Sequence, residues 1–325
     1  MRRVQLGSSG LEVGALGFGA WGLSGDYGVA NDRESIAALR RTLELGANLI
    51  DTADEYGSGG NELLVGRALA GRRAEAVVAT KTGIVHGPDG AVGVCGRPDY
   101  VRAALDRSLM RLGIDTIDLF YLHRVDPEVP IEETVGAMSD LVAAGKARFI
   151  GLSEAGPETI RRANAIHSLA AIQSEYSLWT RTPERDVLPI VRELGIGFVA
   201  FSPLGRGFLA GGVDSTGDLG PDDFRRRSPR FSDENMRVNR KLVAPLRRIA
   251  ADRGATLAQV ALAWLLERDV VPIPGTRHAE RVDENVQATE VLLTPDERDQ
   301  LDRAFRPGVA AGARYPEELE VLTGR

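Results

Sequence analysis

Short apolar runs, each closing on a polar residue, recur along this chain and are separated by longer stretches with helical spacing. Eight of the runs read as strands: "ALGFGAW" (15–21), "NLID" (48–51), "AVVATK" (76–81), "DLFYLH" (118–123), "ARFIGLS" (147–153), "AAIQSE" (170–175), "GFVAFS" (197–202) and "VVPIPGT" (270–276). Between them, "DRESIAALRRTLELG" (32–46) puts Ile36, Leu39 and Leu43 on one face and stops at Gly46. "RPDYVRAALDRSLMRLG" repeats that grammar with Val101, Leu105, Leu109 and Leu112, as do "PIEETVGAMSDLVAAG", "PERDVLPIVRELG" and "TLAQVALAWLLERD".

Parallel strands need long crossovers and are covered on both faces, so continuous apolar strands alternating with amphipathic helices imply a parallel sheet under helices. Eight such units favour a closed (β/α)8 TIM barrel over an open sheet. Ahead of the first strand, "VQLGSSGLEVG" reads as a hairpin turning at Gly7 to Gly10 and placed to plug the barrel floor. Extra helices are expected at the C-terminal end. Residues 211–234, rich in Gly, Asp, Pro and Arg, show no period and read as a lid or flexible loop. With no linker-like shift and no internal repeat, residues 1–325 form one domain.

The polar residues that close the strands are Asp51, Lys81, His123, Ser153, Gln173, Ser202 and Thr276. In a barrel these ends converge on the rim where active sites of that fold lie. Lys81 carries weight because only three of the 40 basic residues are lysine. It is either a strand-end lysine snorkelling to solvent or an ammonium placed to tune a neighbouring phenol. Asp51, on the adjacent strand, is its natural partner. Tyr56 follows in the Gly-rich "YGSGGN", expected as a loop that turns over the rim, and His123 ends the next strand. Together they form an acid–base set: Tyr56 as proton donor, Lys81 lowering its pKa, Asp51 holding Lys81, and His123 orienting a substrate oxygen. Asp54 has no assigned role.

Composition narrows the chemistry. A formal charge of −6 argues against a surface for nucleic acid, and one cysteine, Cys95, excludes an internal disulfide. Four scattered histidines offer no metal-ligand pattern. Neither a signal core nor a run long enough to span a membrane is present, so a cytoplasmic location is expected. "GFGAWG" (17–22) satisfies the spacing of a dinucleotide fingerprint, but loop-like "LSGDYGVAN" follows where that motif needs a helix; close backbone packing accounts better for these glycines.

"DTADEYGSGGNELLVGRAL", "VVATKTG", "LDRSLMRLGIDTIDLFYLHRVDP", "IGLSE", "QSEYSLWTR", "FSPLGRGFLAG" and "PIPGTRHAERVDENV" together resemble the aldo-keto reductase family, in its bacterial and plant branch, over residues 4 to 306. The resemblance implies an NADPH-dependent, metal-free reductase of aldehydes or ketones with the tetrad Asp51, Tyr56, Lys81 and His123. It also implies a coenzyme groove beginning at Gly19, Ala20 and Trp21, with Asp51 at its inner end. Ser153 and Gln173 would hold the nicotinamide carboxamide and Phe201 would stack on the ring. Ser202, Pro203, Leu204, Arg206 and Gly207 would line the pyrophosphate. Gly275, Thr276, Arg277 and Arg281 would meet the adenosine 2′-phosphate, and Glu284 and Asn285 the adenine. Two arginines a turn apart beside a helix start suit a dianion, although a solvated helix face is the plainer reading.

Three positions depart from the family pattern: Glu154 where many members have asparagine, Phe201 where many have tyrosine, and Gly275 where many have lysine. Trp21, Tyr27 and Trp179 are either substrate-pocket walls or rim packing. Loops 24–31, 84–97 and 211–234 are expected to set specificity. A relative of this fold that serves as a coenzyme-binding regulatory subunit of a membrane channel is the alternative function.

Overall fold

The computed structural model describes residues 1–87 and 90–324. The expected 84–97 loop therefore includes two positions, 88 and 89, outside the described residues, as is position 325 of the expected domain.

A short hairpin comes first, β1 (Arg3–Gln5) and β2 (Glu12–Gly14), paired antiparallel. The barrel strands follow: β3 (Phe18–Gly19), β4 (Leu49–Asp51), β5 (Val77–Thr82), β8 (Ile117–Leu122), β9 (Ala147–Ser153), β10 (Ala171–Glu175), β11 (Gly197–Phe201) and β12 (Val271–Pro272). All are parallel and neighbour one another in chain order. The ring closes where Gly17 N donates to Pro272 O (3.0 Å) and Gly19 N to Pro274 O (3.4 Å).

That seam explains the glycines of "GFGAWG". A Cβ on Gly19 would lie 2.8 Å from the Ile273 carbonyl oxygen, and one on Gly275 would lie 2.3 Å from that of Gly19. The spacing is a closure device, and a 3-10 turn (Trp21–Ser24) follows it.

Helices α1 (Asp32–Glu44), α2 (Gly60–Leu69), α3 (Pro98–Leu112), α4 (Ile131–Ala143), α5 (Pro157–Ile166) and α6 (Val187–Leu194) connect successive barrel strands. Three helices precede β12: α7 (Asp233–Asn239), α8 (Ala244–Arg253) and α9 (Leu257–Leu266). After it come α10 (Ala279–Gln287), α11 (Pro295–Ala304) and α12 (Glu317–Glu320). An unforeseen hairpin, β6 (Ile84–His86) with β7 (Val92–Val94), rises beyond β5. Its short strands alternate too little to be read from periodicity.

Strand parity places the chemistry. Side chains alternate between faces along a strand, and Leu49, Val77, Ala79, Leu119, Tyr121, Ala171 and Val199 fill the barrel interior against Leu6, Leu11 and Val13 of the plugging hairpin. Val78, Phe120, Ile150, Leu152, Ile172 and Phe198 pack outward against helices. Two residues beyond the interior ones come Asp51, Lys81, His123, Gln173 and Phe201, so the same parity that buries the core aims these groups into the mouth.

Candidate active site

Lys81 is fully buried, and its Nζ donates to Asp51 Oδ1 (2.5 Å), Thr52 O (2.9 Å) and the Tyr56 hydroxyl (3.1 Å). Gln173 Nε2 donates to the other Asp51 oxygen at 2.7 Å. A buried ammonium with three oxygen partners is compensated rather than snorkelling. Burial pushes Asp51 up and Lys81 down, and their mutual attraction opposes both shifts.

Tyr56 does not hang from a loose loop. It opens a 3-10 turn (Tyr56–Gly59) in which Gly57, Ser58 and Gly59 all have positive φ, and α2 begins immediately after. The turn is pinned to β5: Asp54 N donates to Lys81 O (3.0 Å), and Thr82 Oγ1 donates to Asp54 Oδ2 (2.6 Å). Asp54, left without a role by the sequence, is thus the clasp that fixes Tyr56 over Lys81. Its carboxyl is pushed up to about 6, first by burial.

The phenol is not lowered, contrary to the expected effect of Lys81. Burial, then the charges of Asp51 and Glu55, hold Tyr56 well above 10, and Arg124 only partly opposes them. Tyr56 therefore remains protonated at neutral pH. His123, 5.7 Å from Tyr56 between ring centroids, is held well below 6.5 by burial, with Arg124 and Lys81 adding to the effect. Among the described residues its Nδ1 is buried with no partner, which leaves Nε2 as the nitrogen available to the cavity that His123 lines.

The cavity of about 250 Å³ brings together Trp21, Tyr56, His123, Ser153, Gln173 and Phe201 from the expected set. It adds groups that sequence reasoning missed: Asp26, Glu55, His86, Arg124 and Arg227, with Tyr315, Leu319 and Leu322 from the C-terminal segment. Asp26 is pushed up to about 6 by burial and by Glu55. The apolar spacing in "YPEELEVL" was the available signal for the C-terminal wall.

Two of the expected aromatic walls lie elsewhere. Trp179 is 4 % exposed and stacked on Phe208 at 4.0 Å, beneath the 205–231 segment, and does not line the cavity. Tyr27 packs edge-on behind Trp21 at 5.0 Å, with Arg225 over its other side. The 211–234 stretch is likewise a packed succession of 3-10 turns running into α7. Phe224 meets Trp21 (5.2 Å) and its N–H donates to Asp26 O (2.9 Å), so this segment is fastened across the mouth.

Of the residues expected along the coenzyme, Ser202 and Arg206 carry positive φ at the turn after β11, around buried Pro203 and half-buried Leu204 and Gly207. Arg206 is buried against Glu175 (3.3 Å) and over Tyr315, rather than facing an open groove. The reason is electrostatic: the carboxylate is the nearest available counter-charge. Glu154 is equally engaged, pairing with Arg314 (2.9 Å) and accepting from Glu175 N (2.7 Å). Gly275, Thr276, Arg277 and Arg281 lie beyond the cavity around the start of α10 and Glu284 and Asn285 in its second half, with Ala20 and Gly19 at the adjoining seam. Arg277 Nη1 donates to Gly28 O (2.8 Å) and to Val29 O, while Arg281 is exposed.

The site and the barrel define an oxidoreductase class, and the comparisons give its family. Residues 15–306 match the Aldo/keto reductase family, and the chain belongs to it. It is 44 % identical over 321 residues to a probable aldo-keto reductase 1 of Glycine max, covering 98 % of this chain and 92 % of that one. The glycerol dehydrogenase of Gluconobacter oxydans superposes with TM-score 0.83 at 29 % identity, covering 96 % of this chain and 97 % of the other. An aldo/keto reductase of Klebsiella pneumoniae, solved with NADP and acetate, gives TM-score 0.74 at 30 % identity, over 96 % and 98 % of the two chains. No helix among the described residues is long and apolar enough to cross a membrane.

Proposed function

We propose that this protein is an NADPH-dependent reductase that converts a small-molecule aldehyde or ketone to the alcohol. The observation that carries the reading is the Asp51–Lys81–Tyr56 hydrogen-bond chain, with His123 beside it at the mouth of the barrel. The residues present fit the coenzyme by their chemistry. Ser153 and Gln173 offer a hydroxyl and an amide beside the half-buried face of Phe201, while Thr276, Arg277 and Arg281 surround a helix start. NADPH, when bound, supplies the hydride.

The chain's own part is proton delivery and orientation. Tyr56, protonated because it is buried near Asp51 and Glu55, gives its proton to the substrate oxygen as charge develops there. Lys81 then faces the phenolate at 3.1 Å and stabilises it, with its own position fixed by Asp51. The neutral imidazole of His123 offers Nε2 to the same substrate oxygen. Trp21, Phe224, Tyr315, Leu319 and Leu322 line the cavity with apolar surface that limits water around the reacting centre.

The test is oxidation of NADPH followed at its absorbance with a panel of aldehydes, ketones and quinones, comparing wild type with Tyr56→Phe. Turnover that falls by about 10²-fold or more in the variant supports the reading. Tight NADPH binding with no Tyr56-dependent consumption of any substrate would instead favour a coenzyme-binding regulatory role.

A further inference from the structure

Arg124 is a buried cation that makes no ion pair among the described residues. It is 8 % exposed and lines the cavity, yet among the described residues no carboxylate lies within ion-pair distance of it. Arg124 Nη1 donates to the His123 carbonyl (2.6 Å) and to Ser153 Oγ (3.1 Å). Among the described residues, Nε and Nη2 have no acceptor. A guanidinium carries five donors in a rigid fork, and burying it beside only neutral oxygens is costly.

The other cations near the mouth are already neutralised. Lys81 is paired with Asp51 at 2.5 Å and Arg227 with Glu318 at 3.0 Å. The cavity's own carboxylates stop short of an ion pair with Arg124: Glu55 faces His86 at 3.5 Å and feels the Arg124 charge only from beyond contact distance, and Asp26 hangs from a loop whose backbone is fastened to Phe224. Arg124 also sits one residue from His123, and its charge acts on both Tyr56 and His123. A carbonyl oxygen placed between those two groups puts its substituents beside the free side of the fork.

Resting on the carbonyl-reductase reading, we infer that Arg124 is a specificity-determining residue and that the preferred substrates are aldehydes or ketones carrying a carboxylate near the carbonyl. The fork matches a carboxylate through two parallel N–H···O bonds, which gives both energy and orientation. Nothing changes in the reaction itself, since the substituent's carboxylate neither gains nor loses a bond. It supplies the contact counter-charge that none of the described residues provides, and Arg124 in turn holds the carbonyl against Tyr56 and His123.

The experiment compares matched pairs at saturating NADPH, 4-carboxybenzaldehyde against its methyl ester and an aliphatic oxo acid against its ester. Wild type is expected to show kcat/KM about tenfold or more in favour of the acids, the effect of one charge-assisted contact. Arg124→Met should bring the acid-to-ester ratio close to one, and Arg124→Lys should keep part of the preference. A merely structural role for Arg124 would lower both members of a pair alike and leave the ratio unchanged, which overturns the inference. Wild-type enzyme that reduces ester and acid equally well overturns it without recourse to any variant. Failure to reduce every aldehyde, neutral and anionic, overturns instead the reading on which it rests.

Discussion

Asp51 and Lys81 meet at 2.5 Å as an ion pair from adjacent strands, both side chains almost completely buried in the barrel mouth. Removing one partner of such a pair strands the other's charge, at a cost of about 3–5 kcal/mol. Asp51→Asn and Lys81→Met should therefore each destabilise the fold by that order in urea unfolding. The double variant should cost clearly less than the sum, because neither charge remains. Additive losses would show that the two groups are not coupled in the folded state.

His123 provides a pH prediction with a definite sign. Its folded pKa is depressed well below 6.5 by burial, whereas the unfolded chain titrates near the ordinary value. As pH falls below about 6.5 the unfolded state takes up this proton first, so stability drops by about 1.4 kcal/mol per pH unit. His123→Gln should flatten the pH dependence of unfolding in that window by one proton. In kcat/KM, no inflection near pH 6.5 should be assignable to this residue. An inflection there that His123→Gln abolishes would mean that the imidazole titrates normally.

Asp54 runs the opposite way. Its folded pKa is raised from 3.8 to about 6, so the folded state binds the proton more tightly. The stability this confers is complete below about pH 4 and is lost as pH rises through 6. Asp54→Asn keeps the group neutral at all pH. Relative to wild type, the variant should gain on the order of 2 kcal/mol between pH 4 and pH 7, read from urea midpoints at the two pH values. A difference that is constant with pH would place the ordinary carboxyl pKa at this site.

What was legible in the sequence followed from local periodicity. Residues 49/51, 77/79/81 and 119/121/123 share one parity, so an apolar interior and a polar mouth are written in the same short runs. The barrel and the strand-end positions of Asp51, Lys81 and His123 rest on that rule, whereas Tyr56 is read from its Gly-rich turn and the hairpin from Gly7 to Gly10. The pairing of Arg314 with Glu154 joins positions 160 residues apart in sequence, in a C-terminal stretch with no strong period, and no local rule reaches it. Trp179 stays open between wall and rim packing in the sequence for a related reason. An aromatic in a loop is equally suited to a wall or a core, and the burial of this one depends on how residues 205–231 fold back over it. Arg124 stands next to the histidine that closes its strand, but that it makes no ion pair among the described residues is a property of the folded cavity alone.

The two arginines expected at the adenosine phosphate are not equivalent, and the difference is measurable. Arg281 is exposed and, among the described residues, has no ion-pair partner, so its charge is free for a 2′-phosphate. Arg277 instead ties the β12–α10 turn to the carbonyls of Gly28 and Val29, in the loop whose Tyr27 supports Trp21. Arg281→Ala should weaken NADPH about tenfold while leaving NADH nearly unchanged, the effect of one charge-assisted contact. Arg277→Ala should weaken both coenzymes, because it also releases the loop behind Trp21. Dissociation constants from quenching of tryptophan fluorescence distinguish the cases, with the NADPH-to-NADH ratio as the deciding quantity. Equal losses of the two coenzymes in Arg281→Ala would remove the 2′-phosphate from this end of the groove and leave that arginine as a solvated helix-face charge.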